Sequence, residues 1–376
     1  AARAGRKLIV PLGNGAEAAL AREVEASTAR TLLEVCAALE GRKALPAAIA
    51  VPVQRVRGPD MCDVRGQAHA RRALEVAAAG GHHLLLIGPP GCGKTLLASR
   101  LAGLLPDASE AEALEAAAIV SVSGRGLDPS RWRERPYRTP HHTASAVALV
   151  GGGAEPRPGE ISLAHNGVLF LDELPEWDRR ALEVLREPLE SGVVTISRAA
   201  RQSEFPARFQ LVAAMNPCPC GWAGDPSARC RCHADAILRY RAKISGPLLD
   251  RIDLHVDVPR LPPAELRPDA PDGESSDIVR ARVAQARAIQ HARAGKANAQ
   301  LGQAETMATC RLAPHDQLLL ERAIDALQLS ARSMHRILRV ARTIADLAGA
   351  ADIGTLHLGE ALGYRRVDRG VAALAA

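Results

Sequence analysis

The chain reads as an α/β protein in which a parallel sheet lies between helices and an all-helical region follows. Three observations predict this. Between Asp63 and about Pro259, short apolar runs alternate with helical patterns, the order that gives parallel strands covered on both faces. Within that stretch, "HHLLLIGPPGCGKTLLASRLAGLLP" passes from a buried-type strand through a glycine loop into a helix. Beyond residue 277, apolar residues recur at helical spacing, as in "HDQLLLERAIDALQL" and "SMHRILRVARTIADL".

Taken in order, residues 8–46 predict a short strand, a helix, a brief "VEAST" segment and a second helix ending at Gly41, too little for a core of its own. The proline-marked linker "LPAAIAVPVQRVRGPD" follows. The sheet-forming region is expected over residues 58–262, and the polar linker "ELRPDAPDGESSD" leads into a helical region over 275–376. The chain has no initiator methionine and reads as a piece of a longer protein.

Gly88–Thr95 spells G-x-x-x-x-G-K-T after the strand His83–Ile87. In that context Gly88, Pro89, Pro90, Gly91, Cys92, Gly93, Lys94, Thr95 and Leu96 predict a phosphate-binding loop. Backbone N–H groups turn inward there, helped by the positive end of the following helix. Lys94 would reach the β- and γ-phosphates of ATP, and Thr95 would ligate Mg²⁺. Hydrolysis also needs carboxylates on a neighbouring strand. "NGVLFLDELPEW" offers Asp172 for the Mg²⁺ shell and Glu173 to polarise the attacking water, both at a strand's C-terminal end. "FQLVAAMN" is a further apolar strand, ending in Asn216, able to position that water.

Between Thr95 and Asp172 the chain is longer than one helix–strand–helix excursion needs. "RERPYRTPHHTASAVALVGGGAEPRPGE" is the expected insert, and "GVVTISRAARQSEFPARF" reads as a hairpin turning around Ala199–Arg201. "MNPCPCGWAGDPSARCRCH" holds four of the eight cysteines as two Cys-x-Cys pairs. Cys218, Cys220, Cys230 and Cys232 are the natural set for a structural Zn²⁺, with His233 able to replace one; redox pairing or simple packing are the alternatives.

Composition narrows the classes. The other cysteines are scattered, unlike a secreted disulfide scaffold, and point to a cytoplasmic setting. No run is long enough to cross a bilayer, and no signal or transit pattern opens the chain. A net charge of +6 suits a nucleic-acid partner without requiring one.

These motifs resemble the AAA+ ATPases, and within them the magnesium-chelatase-like ComM/YifB family. The resemblance runs from Asp63 to Asp368, on "DVRGQAHARRALEVAAAGGHHLLLIGPPGCGKT", "REPLESGVVTISRAARQSEFPARFQLVAAMNPCPCG", "KISGPLLDRIDLHVDVP" and "LRVARTIADL". It implies an AAA+ core (58–262), a helical lid (275–376) and, over residues 1–50, the remnant of an N-terminal Lon-protease-like domain. Asn216 would then be sensor 1 and Arg251 the arginine finger that reaches a neighbouring subunit's ATP. Arg332 would be sensor 2, donated by the lid to the same nucleotide, with Arg336 a competitor on the same helix face. The "DVRGQ" residues Val64, Gly66 and Gln67 would lie beside the adenine. The insert and hairpin would enter a hexamer's pore, where Arg198 and Arg201 contact DNA phosphates and Tyr137 or His142 stacks on bases. The implied activity is an ATP-driven homo-hexameric motor on single-stranded or branched DNA, a helicase for branch migration in natural transformation. The alternative is the ATPase subunit of a chelatase or protein-remodelling complex.

Overall fold

The computed structural model describes residues 1, 4–53, 58–153, 156–198, 201–267, 272–327 and 329–365. It divides into two compact units, residues 1–57 with 107–134 and residues 58–106 with 135–376. In the first unit, β1 (Leu8–Pro11) pairs in parallel with β2 (Ala26–Ala29), Leu8 opposite Ala26. The helix Leu32–Leu39 is capped by Thr31, whose hydroxyl accepts the Glu34 N–H. Leu32, Leu33 and Leu39 stay exposed, in keeping with a stretch too small for its own core. A capping box between Ser109 and Glu112 opens the helix Glu110–Val122.

The second unit holds β3 (Leu84–Ile87), β4 (Tyr137–Arg138), β5 (Gly151–Gly152), β6 (Arg157–Pro158), β7 (Val168–Leu171), β8 (Val193–Arg198), β9 (Arg201–Pro206), β10 (Gln210–Met215) and β11 (Leu254–Asp257). Five of them form one parallel sheet in the order β11-β3-β10-β7-β4, while β5 with β6 and β8 with β9 are antiparallel pairs. Every residue of β3, β7 and β10 is buried, as the continuous apolar runs predict.

Alternate side chains of these strands feed two cores. Leu84, Leu86, Phe170, Val212 and Ala214 join one cluster, and Leu85, Leu169, Leu171, Leu211 and Ala213 the other. The first cluster also takes Val283 from the helix Ser276–Ala294, Ile337, Val340 and Ile344 from Ala331–Leu347, and Leu358 from Thr355–Gly363. The helical region therefore packs on one face of the sheet and shares its core.

Two expectations need correction. The strand carrying Asp172 and Glu173 is not the neighbour of the strand before the glycine loop: β10 lies between them, pairing with both. Tyr137 does not stand in an insert either. It lies in the edge strand β4, with its ring stacked on Phe170 at 6.5 Å between centroids. Burial raises its phenol pKa.

A polar seam joins the helical region to the sheet. His82, fully buried, meets the Thr343 hydroxyl at 2.8 Å, and its Nδ1 lies 3.4 Å from Asp253. Arg336 donates to Asp253 at 2.7 Å. Burial alone would raise the Asp253 carboxyl; Arg336 above all, then His82, override it and hold it well below the usual range.

Next to this seam, His83 accepts the Leu211 N–H on Nδ1 at 3.0 Å, and burial pushes its pKa down from 6.5 to about 4. The unfolded chain then binds that proton more readily than the folded one. The stability held by neutral His83 is complete above pH 6.5 and is lost as pH falls toward 4. Urea unfolding across this window is expected to show a loss of up to about 3 kcal/mol from this group. His83→Gln, which keeps an acceptor for Leu211, should flatten the dependence.

Candidate nucleotide site

Three adjacent strands bring the phosphate loop and its polar partners together. The loop leaves β3 at Gly88, where a Cβ would stand 2.2 Å from the Val258 carbonyl oxygen and 2.8 Å from the Cys92 sulfur, so only glycine fits. The helix Lys94–Leu104 starts directly after the loop, its positive end facing the loop's hollow. Lys94 Nζ donates to the carbonyls of Gly88 (2.7 Å) and Pro89 (2.9 Å) and to Asn216 Oδ1 (3.1 Å). Burial lowers the Lys94 pKa, the direction expected of an ammonium held away from water.

Thr95 Oγ1 donates to Asp172 Oδ2 at 2.7 Å, joining the end of the loop to the end of β7. The other Asp172 oxygen accepts the Glu173 N–H at 2.9 Å, and the Trp177 indole donates to the Asp172 carbonyl at 2.9 Å. Glu173 sits at φ +52°, a left-handed turn that points its carboxylate off the strand end. That carboxylate lies 3.2 Å from His142 Nδ1, whose ring rests 4.2 Å from that of His141. His142, expected to stack on DNA bases, is thus a neighbour of Glu173.

The "DVRGQ" segment closes on the loop from another side. Gln67 Nε2 donates to the Pro259 carbonyl (2.7 Å) and to the Cys92 carbonyl (3.4 Å). Val64 is 2% exposed and packs in the core.

The arginines form a second group. Arg251 is buried, donates to the Pro247 carbonyl at 2.6 Å and pairs with Glu190 at 2.5 Å. The bond to Arg251 lowers the Glu190 carboxyl pKa. Arg332, with its side chain 72% exposed, lies 3.5 Å from the same carboxylate. Arg336 instead donates to Asp253 and to the Arg251 carbonyl and is committed to the seam. Glu190 went unnoticed in the sequence: a residue 61 positions from its partner has no spacing signal to betray it.

Residues 60–266 match the family described as magnesium chelatase, subunit ChlI, and residues 273–365 match the C-terminal part of that subunit. The chain is 50% identical over 376 residues to the competence protein ComM of Haemophilus influenzae, covering 98% of this chain and 73% of that one. The chain belongs to the magnesium-chelatase-like ComM/YifB family of AAA+ ATPases. It is also 50% identical over 371 residues to YifB of Escherichia coli (98% and 73% covered), an uncharacterised protein. Rv2897c of Mycobacterium tuberculosis, likewise uncharacterised, is 45% identical over 367 residues (96% and 72%).

For an AAA+ ATPase the expected ligands are ATP and Mg²⁺, and the donor set fits: the Thr95 hydroxyl and Asp172 carboxylate supply hard oxygens for Mg²⁺ beside a ready anion cradle. β8 and β9 pair as an antiparallel hairpin, with Arg198 opposite Arg201 at its last pair. The side chains of both, and residues 199–200, lie outside the described residues.

The four clustered cysteines converge. The ligand atoms of Cys218, Cys220, Cys230 and Cys232 all lie within 4.8 Å of one another, with Cys218–Cys220 at 3.4 Å, Cys220–Cys230 at 3.7 Å and Cys218–Cys230 at 3.8 Å. A tetrahedral zinc with Zn–S bonds of about 2.3 Å places its sulfurs about 3.8 Å apart, so the spacing fits this metal. Backbone N–H groups of Arg231 and Trp222 lower the Cys220 thiol pKa, while hydrogen bonds with the Cys220 and Cys218 sulfurs help to raise those of Cys230 and Cys232, and the Ala223 N–H reaches Cys218 Sγ at 3.3 Å. His233 stands apart from this set, at the N-terminal cap of the helix Ala234–Arg241. No helix among the described residues is long and apolar enough to cross a membrane.

Proposed function

We propose that the chain is an ATP-driven motor acting on single-stranded or branched DNA as part of a homo-hexameric ring. The observation that carries its ATPase half is the convergence of Lys94, Thr95, Asp172 and Asn216 at the ends of three adjacent parallel strands. Lys94 would leave the loop carbonyls for the β- and γ-phosphates, Thr95 and Asp172 would hold the Mg²⁺ shell, and Asn216 would orient the attacking water. Glu173 would polarise that water once His142 releases it. Arg251 and Arg332 share Glu190, a grouping that favours both serving the same nucleotide, that of a neighbouring subunit.

The DNA half is favoured by the β8–β9 hairpin, which brings two arginines to its tip, and by the positive net charge. The H. influenzae relative is named a competence protein, which suits a role in competence; a helicase promoting branch migration of imported DNA is the form of that role proposed here. Eight free cysteines suit a reducing cytoplasm, where four of them would hold a structural Zn²⁺.

The test is steady-state ATP hydrolysis with and without single-stranded and forked DNA, using Glu173→Gln as the blank. The reading expects DNA to stimulate hydrolysis that vanishes in the variant. Hydrolysis indifferent to DNA would instead favour an ATPase subunit of a chelatase or remodelling complex, the reading suggested by the ChlI match.

A further inference from the structure

We propose that a Zn²⁺ held by Cys218, Cys220, Cys230 and Cys232 sets the phosphate loop through Gly221, so that loss of the metal weakens nucleotide binding although no nucleotide-binding group has changed. This rests on the nucleotide reading above and adds to it a remote metal that tunes the site.

The argument begins with the segment that carries the cysteines. Residues 216–233 contain no helix or strand, so no backbone ladder holds them in place. They nevertheless start at the sensor residue: Asn216 ends the run from β10, and Cys218 follows two positions later. The turn that links the first cysteine pair is closed by the Gly221 N–H on the Cys218 carbonyl at 2.9 Å. Its outer surface lies directly on the nucleotide site. A Cβ on Gly221 would stand 2.6 Å from Pro90 Cδ, 3.2 Å from Pro90 Cγ and 3.9 Å from Asn216 Cγ. The backbone of the cysteine turn is therefore the wall against which the phosphate loop rests.

Side-chain contacts hold that wall in place. Trp222 takes the Arg229 guanidinium over its ring at 5.0 Å, and Arg241 donates to the Pro217 carbonyl at 3.2 Å. Both are modest contacts at the rim. A metal would do more, because Cys218 and Cys220 lie at the exit from the sheet while Cys230 and Cys232 lie just before the helix Ala234–Arg241. Four thiols would each give a proton to solvent and bind one Zn²⁺ as thiolates, closing the segment on itself. Arg229 and Arg231, interleaved with the second pair, bring positive charge toward the excess negative charge of that centre.

The test measures zinc by elemental mass spectrometry and binding of the fluorescent nucleotide mant-ADP. The proteins are wild type, Cys230→Ser with Cys232→Ser, Gly221→Ala, and Cys36→Ser as a control outside the cluster. Wild type, the control and Gly221→Ala are expected to carry one zinc per chain, and the double cysteine variant none. Mant-ADP is expected to bind about tenfold more weakly to both the double variant and Gly221→Ala, the scale of loss that a small displacement of positioning groups produces. Gly221→Ala retains every metal ligand and has a strained Cβ against Pro90, so it tests the contact between turn and loop, while the zinc-free double variant tests the metal's part: a folded double variant that binds mant-ADP like wild type overturns the coupling. Wild type without zinc overturns the proposal, as does Gly221→Ala binding mant-ADP like wild type. Wild type that carries zinc yet binds no mant-ADP refutes the nucleotide reading itself, and the coupling with it.

Discussion

Glu173→Gln is expected to bind ATP as wild type does while hydrolysing it about 10²–10⁴-fold more slowly, the usual contribution of a positioned general base. Binding should survive because the loop, Lys94 and the Thr95–Asp172 contact that build the phosphate and Mg²⁺ sites do not include the Glu173 carboxylate. The amide keeps the size of the side chain and its place beside His142 but cannot take a proton from water. Paired titrations with a fluorescent ATP analogue and single-turnover hydrolysis separate the two effects. A variant that loses binding along with hydrolysis would mean that Glu173 helps build the ground-state site, and the base would have to be sought elsewhere.

Replacing Arg251 with alanine should reduce hydrolysis about 10³–10⁵-fold, the range associated with a transferred arginine, while each subunit still binds ATP. The charge removed is buried, yet its partner Glu190 has a side chain 46% exposed and can be rehydrated, so the cost in folding should stay small. Mixing decides the matter. Arg251→Ala subunits keep an intact loop, and Lys94→Ala subunits keep an intact arginine. A mixed ring therefore contains interfaces where both are present, and activity should reappear on mixing two inactive proteins. A mixture that stays inactive would reduce Arg251 to a structural partner of Glu190.

Much of this was legible in the chain before any coordinates. The strand–loop–helix around Lys94, the carboxylates at 172 and 173 and the four cysteines were readable because each lies in a short segment whose local pattern already states its geometry. Order within the sheet was not readable. Nothing in "FQLVAAMN" says that it fills the gap between two earlier strands, since parallel pairing is decided by long-range crossovers. Tyr137 was misplaced for a related reason: the strand at 137–138 is two residues long, below any period a sequence can display. The contacts of Glu190 with Arg251 and Arg332, and of His142 with Glu173, arise only once distant segments fold together.

The single core shared by the sheet and the helices after residue 275 bears on how mechanical work leaves such a protein. Among the described residues, Ile337, Val340 and Ile344 pack with the sheet's own side chains and the His82–Asp253–Arg336 seam lies beside them, so the two are held across one packed contact. In the ring proposed above, a shift at the phosphate loop would be carried into the helices with the sheet, and the compliant joints would be those between one such body and the next.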